Sequence, residues 1–140
     1  MRTLLIFLTV AALGIASPDN MLISSANFRK SFDGIVPQEL VGDGPEHRIK
    51  MPLELIKRKE IIIQAMHSYA VHSPEKKENI KKDTETTLQY LDSMKELSVE
   101  IVSLVKAYGL HPSGDFENAQ VRMVEEIKIY RQEVMEQQHP

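Results

Sequence analysis

The chain has 140 residues, 17 Lys and Arg against 20 Asp and Glu, and neither cysteine nor tryptophan. Without cysteine there are no disulfide staples, thiolate zinc sites or cysteine nucleophiles, so packing or association must supply all of the stability. A formal net charge of −3 argues against nucleic acid as a partner, because polyanion binding needs clustered Lys and Arg to displace counterions.

Met1 to Ser17 reads as a signal peptide. Arg2 supplies a positive start, Leu4 to Leu13 an apolar run, and Gly14 and Ala16 the small residues of a cleavage site. Cleavage after Ala16 is favoured over Ser17, since Pro18 would otherwise follow the scissile bond. The apolar run, even extended through Gly14 to Ala16, falls short of the roughly 20 residues that cross a hydrocarbon core, so no stable membrane anchor is expected. The expected address is secreted and extracellular. Loss of Arg2 leaves 16 basic residues against 20 acidic ones, a net charge of −4.

Residues 18–51 read as an irregular N-terminal arm. Met21-Leu22-Ile23 and Phe28 to Phe32 carry apolar side chains for one docked patch, which a short helix could present. Gly34, Pro37, Gly42, Gly44 and Pro45 then punctuate the chain. The dibasic pair Arg29-Lys30 lies in this arm, where a processing protease would reach it.

A helix is expected over 52–71, with Pro52 at the first helical position, where a missing N–H costs nothing. Leu55, Ile62, Met66 and Tyr69 recur at helical spacing, and Ile56, Ile63 and Ala70 widen the stripe. That face is broader than one neighbour would cover. Ile56, Ile62, Ile63, Met66 and Tyr69 are therefore the candidate interaction or ligand face.

A second helix is expected over 74–108, started by Ser73 as N-cap and Pro74 at the first position. Ile80, Thr84, Thr87, Leu91, Met94, Ser98, Ile101, Val105 and Tyr108 alternate spacings of four and three, a heptad seam. Gly109 suits the left-handed position past the helix end, and Pro112 forbids continuation. Asp115 caps a third helix over 115–136, whose seam is Phe116, Gln120, Met123, Ile127, Tyr130 and Val134. Residues 137–140 form a polar tail.

The short link after Gly109 makes the second and third helices an antiparallel hairpin. Alignment across it places Ile101 near Met123 and Met94 near Tyr130. Ser98 returns its hydroxyl to a carbonyl one turn back, and Gln120 reaches for solvent. Folding the first helix back at His72-Ser73 places Met66 near Ile80 and Ile62 near Thr84. The expected fold is all-α, either a three-helix antiparallel bundle or an elongated helical hairpin with an irregular N-terminal arm.

No catalytic signature stands out. His67 and His72 are five residues apart and point to different helix faces, and neither HExxH nor GxSxG occurs. The carboxylates fall on outer faces among Lys and Arg, as solubility requires. No enzyme activity, cofactor or metal is expected. The reading is a non-enzymatic secreted protein working through protein–protein contact, self-association included. The competing reading is an extracellular carrier of an apolar small molecule such as a fatty acid. In composition the chain is similar to cysteine-free helical carriers such as the nematode fatty-acid- and retinol-binding proteins, although no motif matches theirs.

Overall fold

The computed structural model of the chain describes residues 18–35, 44–72 and 77–137. The expected leader, the turn at 73–76 and tail residues 138–140 lie outside them. Among the described residues there are four helices and no strand: α1 (Pro18–Lys30), α2 (Pro45–His72), α3 (Lys77–Ala107) and α4 (Phe116–Gln137). The all-α class holds. The three-helix count and the irregular arm do not, because residues 18–30 and 45–51 are helical.

The first correction is α1. Met21, Ser25 and Phe28 are four and three residues apart, so they share one face, and all three are fully buried. Phe28 stacks on Phe116, with ring centroids 5.1 Å apart and planes 18° apart. Phe32 closes the trio edge-on, 6.2 Å from Phe28 and 4.7 Å from Phe116. Phe116 is the first residue of α4 and Phe28 nearly the last of α1, so α1 runs antiparallel along α4. The turn after α1 presses on the α3–α4 link: a Cβ on Gly34 would lie 2.6 Å from the Ser113 nitrogen. Hydrophobic docking of this short helix overrides its weak local signals.

The second correction is the start of α2. Pro45, not Pro52, opens the helix, and the His47 N–H donates to the Gly44 carbonyl at 3.0 Å. Pro52 lies inside, where its ring leaves the Arg48 carbonyl without a helical donor. Ile49, Ile56 and Ile63, one heptad apart on either side of Pro52, are all buried, and this continuous apolar seam repays the lost bond.

The end of α3 and the start of α4 match the sequence reading. Gly109 has a φ of 64°, the Gly109 N–H donates to the Lys106 carbonyl, and the Leu110 N–H donates to that of Val105. This pair of bonds is a Schellman closure of α3. At the start of α4 the Asp115 carbonyl accepts from the Ala119 N–H at 2.9 Å, and its carboxylate from the Asn118 side chain at 3.0 Å.

The α3–α4 hairpin has the expected register. Arg131 pairs with Asp92 at 2.9 Å and Lys106 with Glu117 at 3.2 Å. Ile101 and Met123 are both fully buried in the one core cluster. Ser98 donates to the Lys95 carbonyl at 2.8 Å, as expected. Gln120 does not turn to solvent: its amide donates to Ser98 Oγ at 3.1 Å, so the two polar seam residues satisfy each other.

The α2–α3 register differs from expectation. Met66 meets Thr87 rather than the neighbourhood of Ile80, and Arg48 reaches Tyr108. The side chain of Ile80 lies outside the described residues. A slip of seven residues keeps the same faces together in a heptad seam, so spacing alone does not choose between registers. The slip sets α2 and α4 beside the same stretch of α3, from about Thr87 to its C-terminal end. Each helix packs on the next, α1 closes the ring against α4, and α1–α3 and α2–α4 stand diagonally across the core. The bundle runs up-down-up-down.

Tyr130 sits in that core, only 7% exposed. Burial, with a smaller contribution from Glu133, pushes its phenol up from 10.0 to about 12. A folded-state pKa above the unfolded one contributes stability that is complete below pH 10 and is lost as pH rises toward 12. The expected loss is about 1.4 kcal/mol per pH unit across that window. An ultraviolet titration of the folded protein should show one late phenol, absent in Tyr130→Phe. A titration curve that Tyr130→Phe leaves unchanged above pH 10 would contradict the burial.

Candidate functional site

The expected face on α2 divides. Ile56 and Ile63 are fully buried in the chain's own core, so these two are not open to a partner, contrary to expectation. Ile62, Met66 and Tyr69 are half-buried. Met66 Sδ accepts a hydrogen bond from the Thr87 hydroxyl at 3.0 Å. The face is broad because α2 has two neighbours, α1 on one flank and α3 on the other. With α1 read as an arm, that second neighbour was missing from the sequence reading.

A different set of residues is exposed along the outer edge of the α2–α3 seam. Met51 is 59% exposed and Leu55 38%, and Ile62 continues their row at helical spacing. On α3, the Arg48–Tyr108 and Met66–Thr87 contacts put the half-buried Leu97 and Leu104, which pack against the core, at about the heights of Leu55 and Met51. Polar contacts cross this seam near its rim. Arg48 donates to the Tyr108 hydroxyl at 3.2 Å, and Lys59 Nζ lies 5.4 Å from the centre of the Tyr90 ring. The α3–α4 seam is instead laced by the Asp92–Arg131 and Lys106–Glu117 ion pairs. Met51 and Leu55 were legible as an i, i+4 pair, but a helix start at Pro52 cut between them.

The most buried charge, Glu60, joins α1 to α2. Arg29 Nη2 donates to Glu60 Oε1 at 2.6 Å and Nε to Oε2 at 3.4 Å. The Ser25 hydroxyl contacts Glu60 Oε2 and lies 3.1 Å from the Leu22 carbonyl. Ser25 is fully buried, so its hydroxyl serves the fold rather than any reaction with a solvent-borne substrate. The Arg29-Lys30 pair, read as a cleavable site in an arm, occupies the last turn of α1, with Arg29 held in this clasp.

Between α2, α3 and α4 a cleft of about 60 Å³ is lined by Met66, Thr87, Tyr130 and Val134 among others. That is room for about two waters. Larger depressions, about 310 Å³ on the outside of α4 and about 390 Å³ around Gly109 to Phe116, open onto solvent. Among the described residues no group of three or more His, Asp and Glu is gathered to hold a metal ion, and no helix is long and apolar enough to cross a membrane. No protein-family model matches the chain, and neither a curated protein nor a solved structure matches it.

Proposed function

We propose that the chain is a secreted, non-enzymatic helical protein that acts by contact with another protein, self-association included. The observation that carries this reading is the disposition of its apolar surface. Met51 and Leu55 stand in solvent beside Leu97 and Leu104, while the cleft between α2, α3 and α4 holds about 60 Å³. A fatty acid needs a cavity of several hundred Å³. The larger depressions open onto solvent, so enclosing a fatty acid would require the Phe28–Phe32–Phe116 trio or the Ile49–Ile56–Ile63 seam to part, exposing a core that the bundle otherwise closes. Secretion rests on Met1 to Ser17.

One experiment addresses both parts. The full-length sequence is expressed in a secreting host, and the chain collected from the medium is titrated with an environment-sensitive fatty-acid probe. The expected result is protein in the medium that begins at Ser17 and leaves the probe dim up to high concentration. Saturable brightening near one probe per chain would reject contact in favour of carriage. Retention of an intact N-terminus inside the cell would reject secretion.

A further inference from the structure

We propose that the outer α2–α3 face is the interface of a two-fold homodimer, with α2 of one copy lying over α3 of the other. This rests on the contact reading above and names its partner, a second copy of this chain.

The two helices present opposite charges at matching positions, with Glu54, exposed one turn before Arg58, adding an acid to the α2 face. On α2, Arg58 stands three residues after Leu55 and four before Ile62, so it lies between them on one face. On α3, Glu100 stands three residues after Leu97 and four before Leu104, again between two apolar side chains. Glu96, one turn before Glu100, extends the acidic edge. Arg58, Glu96 and Glu100 are all exposed, and no ion pair among the described residues engages them. The Met66–Thr87 and Arg48–Tyr108 contacts bring Arg58 to about the height of Glu96, with Glu100 one turn further along α3.

Symmetry then selects the geometry. In a two-fold interface, whatever one copy offers the other must accept in return. A two-fold axis parallel to the bundle sets α2 on the partner's α3, so Arg58 meets Glu96 and Glu100 twice over. An axis across the bundle would set α2 on α2 and bring like charges together. The stretch of α2 from Arg48 to Met66 is about 27 Å long, and a two-helix face is about 20 Å wide. Each copy would therefore cover about 550 Å², just past the roughly 1,000 Å² total of a specific but weak interface. A weak, reversible dimer follows.

Sedimentation equilibrium on the mature chain tests this, with Arg58→Glu and the double variant Glu96→Arg/Glu100→Arg. The parent should dimerise reversibly. Each variant alone should weaken the dimer at least about tenfold, since like charges then face each other at two places. An equimolar mixture of the two variants should regain the parent affinity, because both meetings become complementary again. All three positions are exposed, so helical circular dichroism and melting temperature should stay at parent values. A parent that is strictly monomeric to about 1 mM overturns the dimer, as does one indifferent to both reversals or a mixture that fails to recover. A monomeric parent with a dim fatty-acid probe leaves the contact reading standing and removes only self-association, whereas a brightening probe removes the reading itself.

Discussion

Phe28→Ala should destabilise the protein by about 3–5 kcal/mol, the cost of emptying a fully buried aromatic site. Phe28 is completely buried, stacks on Phe116 at 5.1 Å and meets Phe32 edge-on, so its loss removes one of the two ring contacts to α4 and the contact that steadies Phe32. For a domain of this size the melting temperature should fall by about 10–20 °C. Val121→Ala, on the exposed side of α4, is the control and should change stability by less than about 0.5 kcal/mol. Thermal melts followed by circular dichroism measure both. A Phe28→Ala protein melting with its parent would mean that α1 is not docked, and the four-helix bundle would fail with it.

The clasp between α1 and α2 carries the second large effect. Arg29→Ala leaves the Glu60 carboxylate buried with only the Ser25 hydroxyl beside it. Breaking a fully buried pair by removing one partner costs about 3–5 kcal/mol. The Arg29 side chain is 25% exposed, so water partly replaces it and the expected loss is about 2–3 kcal/mol. Removing both charges, as Arg29→Met with Glu60→Leu, should recover most of that, since an apolar pair of similar volume needs no desolvation. Denaturant melts of the two single variants and the double variant form the cycle. Additive losses would show that the pair is not coupled, and α1 would then be held by its aromatic face alone.

These two effects share one origin. The first helix has few residues of its own to bury, so its place depends on one aromatic cluster and one ion pair. A 13-residue helix is marginal in isolation. Docking onto α4 and α2 is what makes Pro18–Lys30 helical, and it also takes Ile56 and Ile63 out of reach of any partner.

The last two helices were legible in the residues themselves. Their seams repeat every seven residues over several turns, and Gly109, Pro112 and Asp115 mark where one stops and the next begins. Periodicity, capping and a short link are local properties, and they sufficed for the α3–α4 register seen in the Asp92–Arg131 and Lys106–Glu117 pairs. The self-satisfying pair of Ser98 with Gln120 was half legible. The serine's bond to its own helix followed from spacing, but the glutamine's partner needed the crossing geometry of two helices.

What only the tertiary structure decided is whatever depends on a neighbour distant along the chain. The heptad leaves the α2–α3 register free to slide by seven residues, and packing against α4 and α1 chose one setting. Pro45 and Pro52 both suit a first helical position, and only the buried Ile49 showed that the helix begins at the earlier one. The candidate face moved for the same reason. Apolar breadth on α2 was visible in the sequence, but whether a side chain such as Ile56 or Leu55 ends in the core or in water depends on which flanks α1 and α3 occupy. A single helix's periodicity gives the direction of each side chain; the number and placement of its neighbours determine which of those directions are dry.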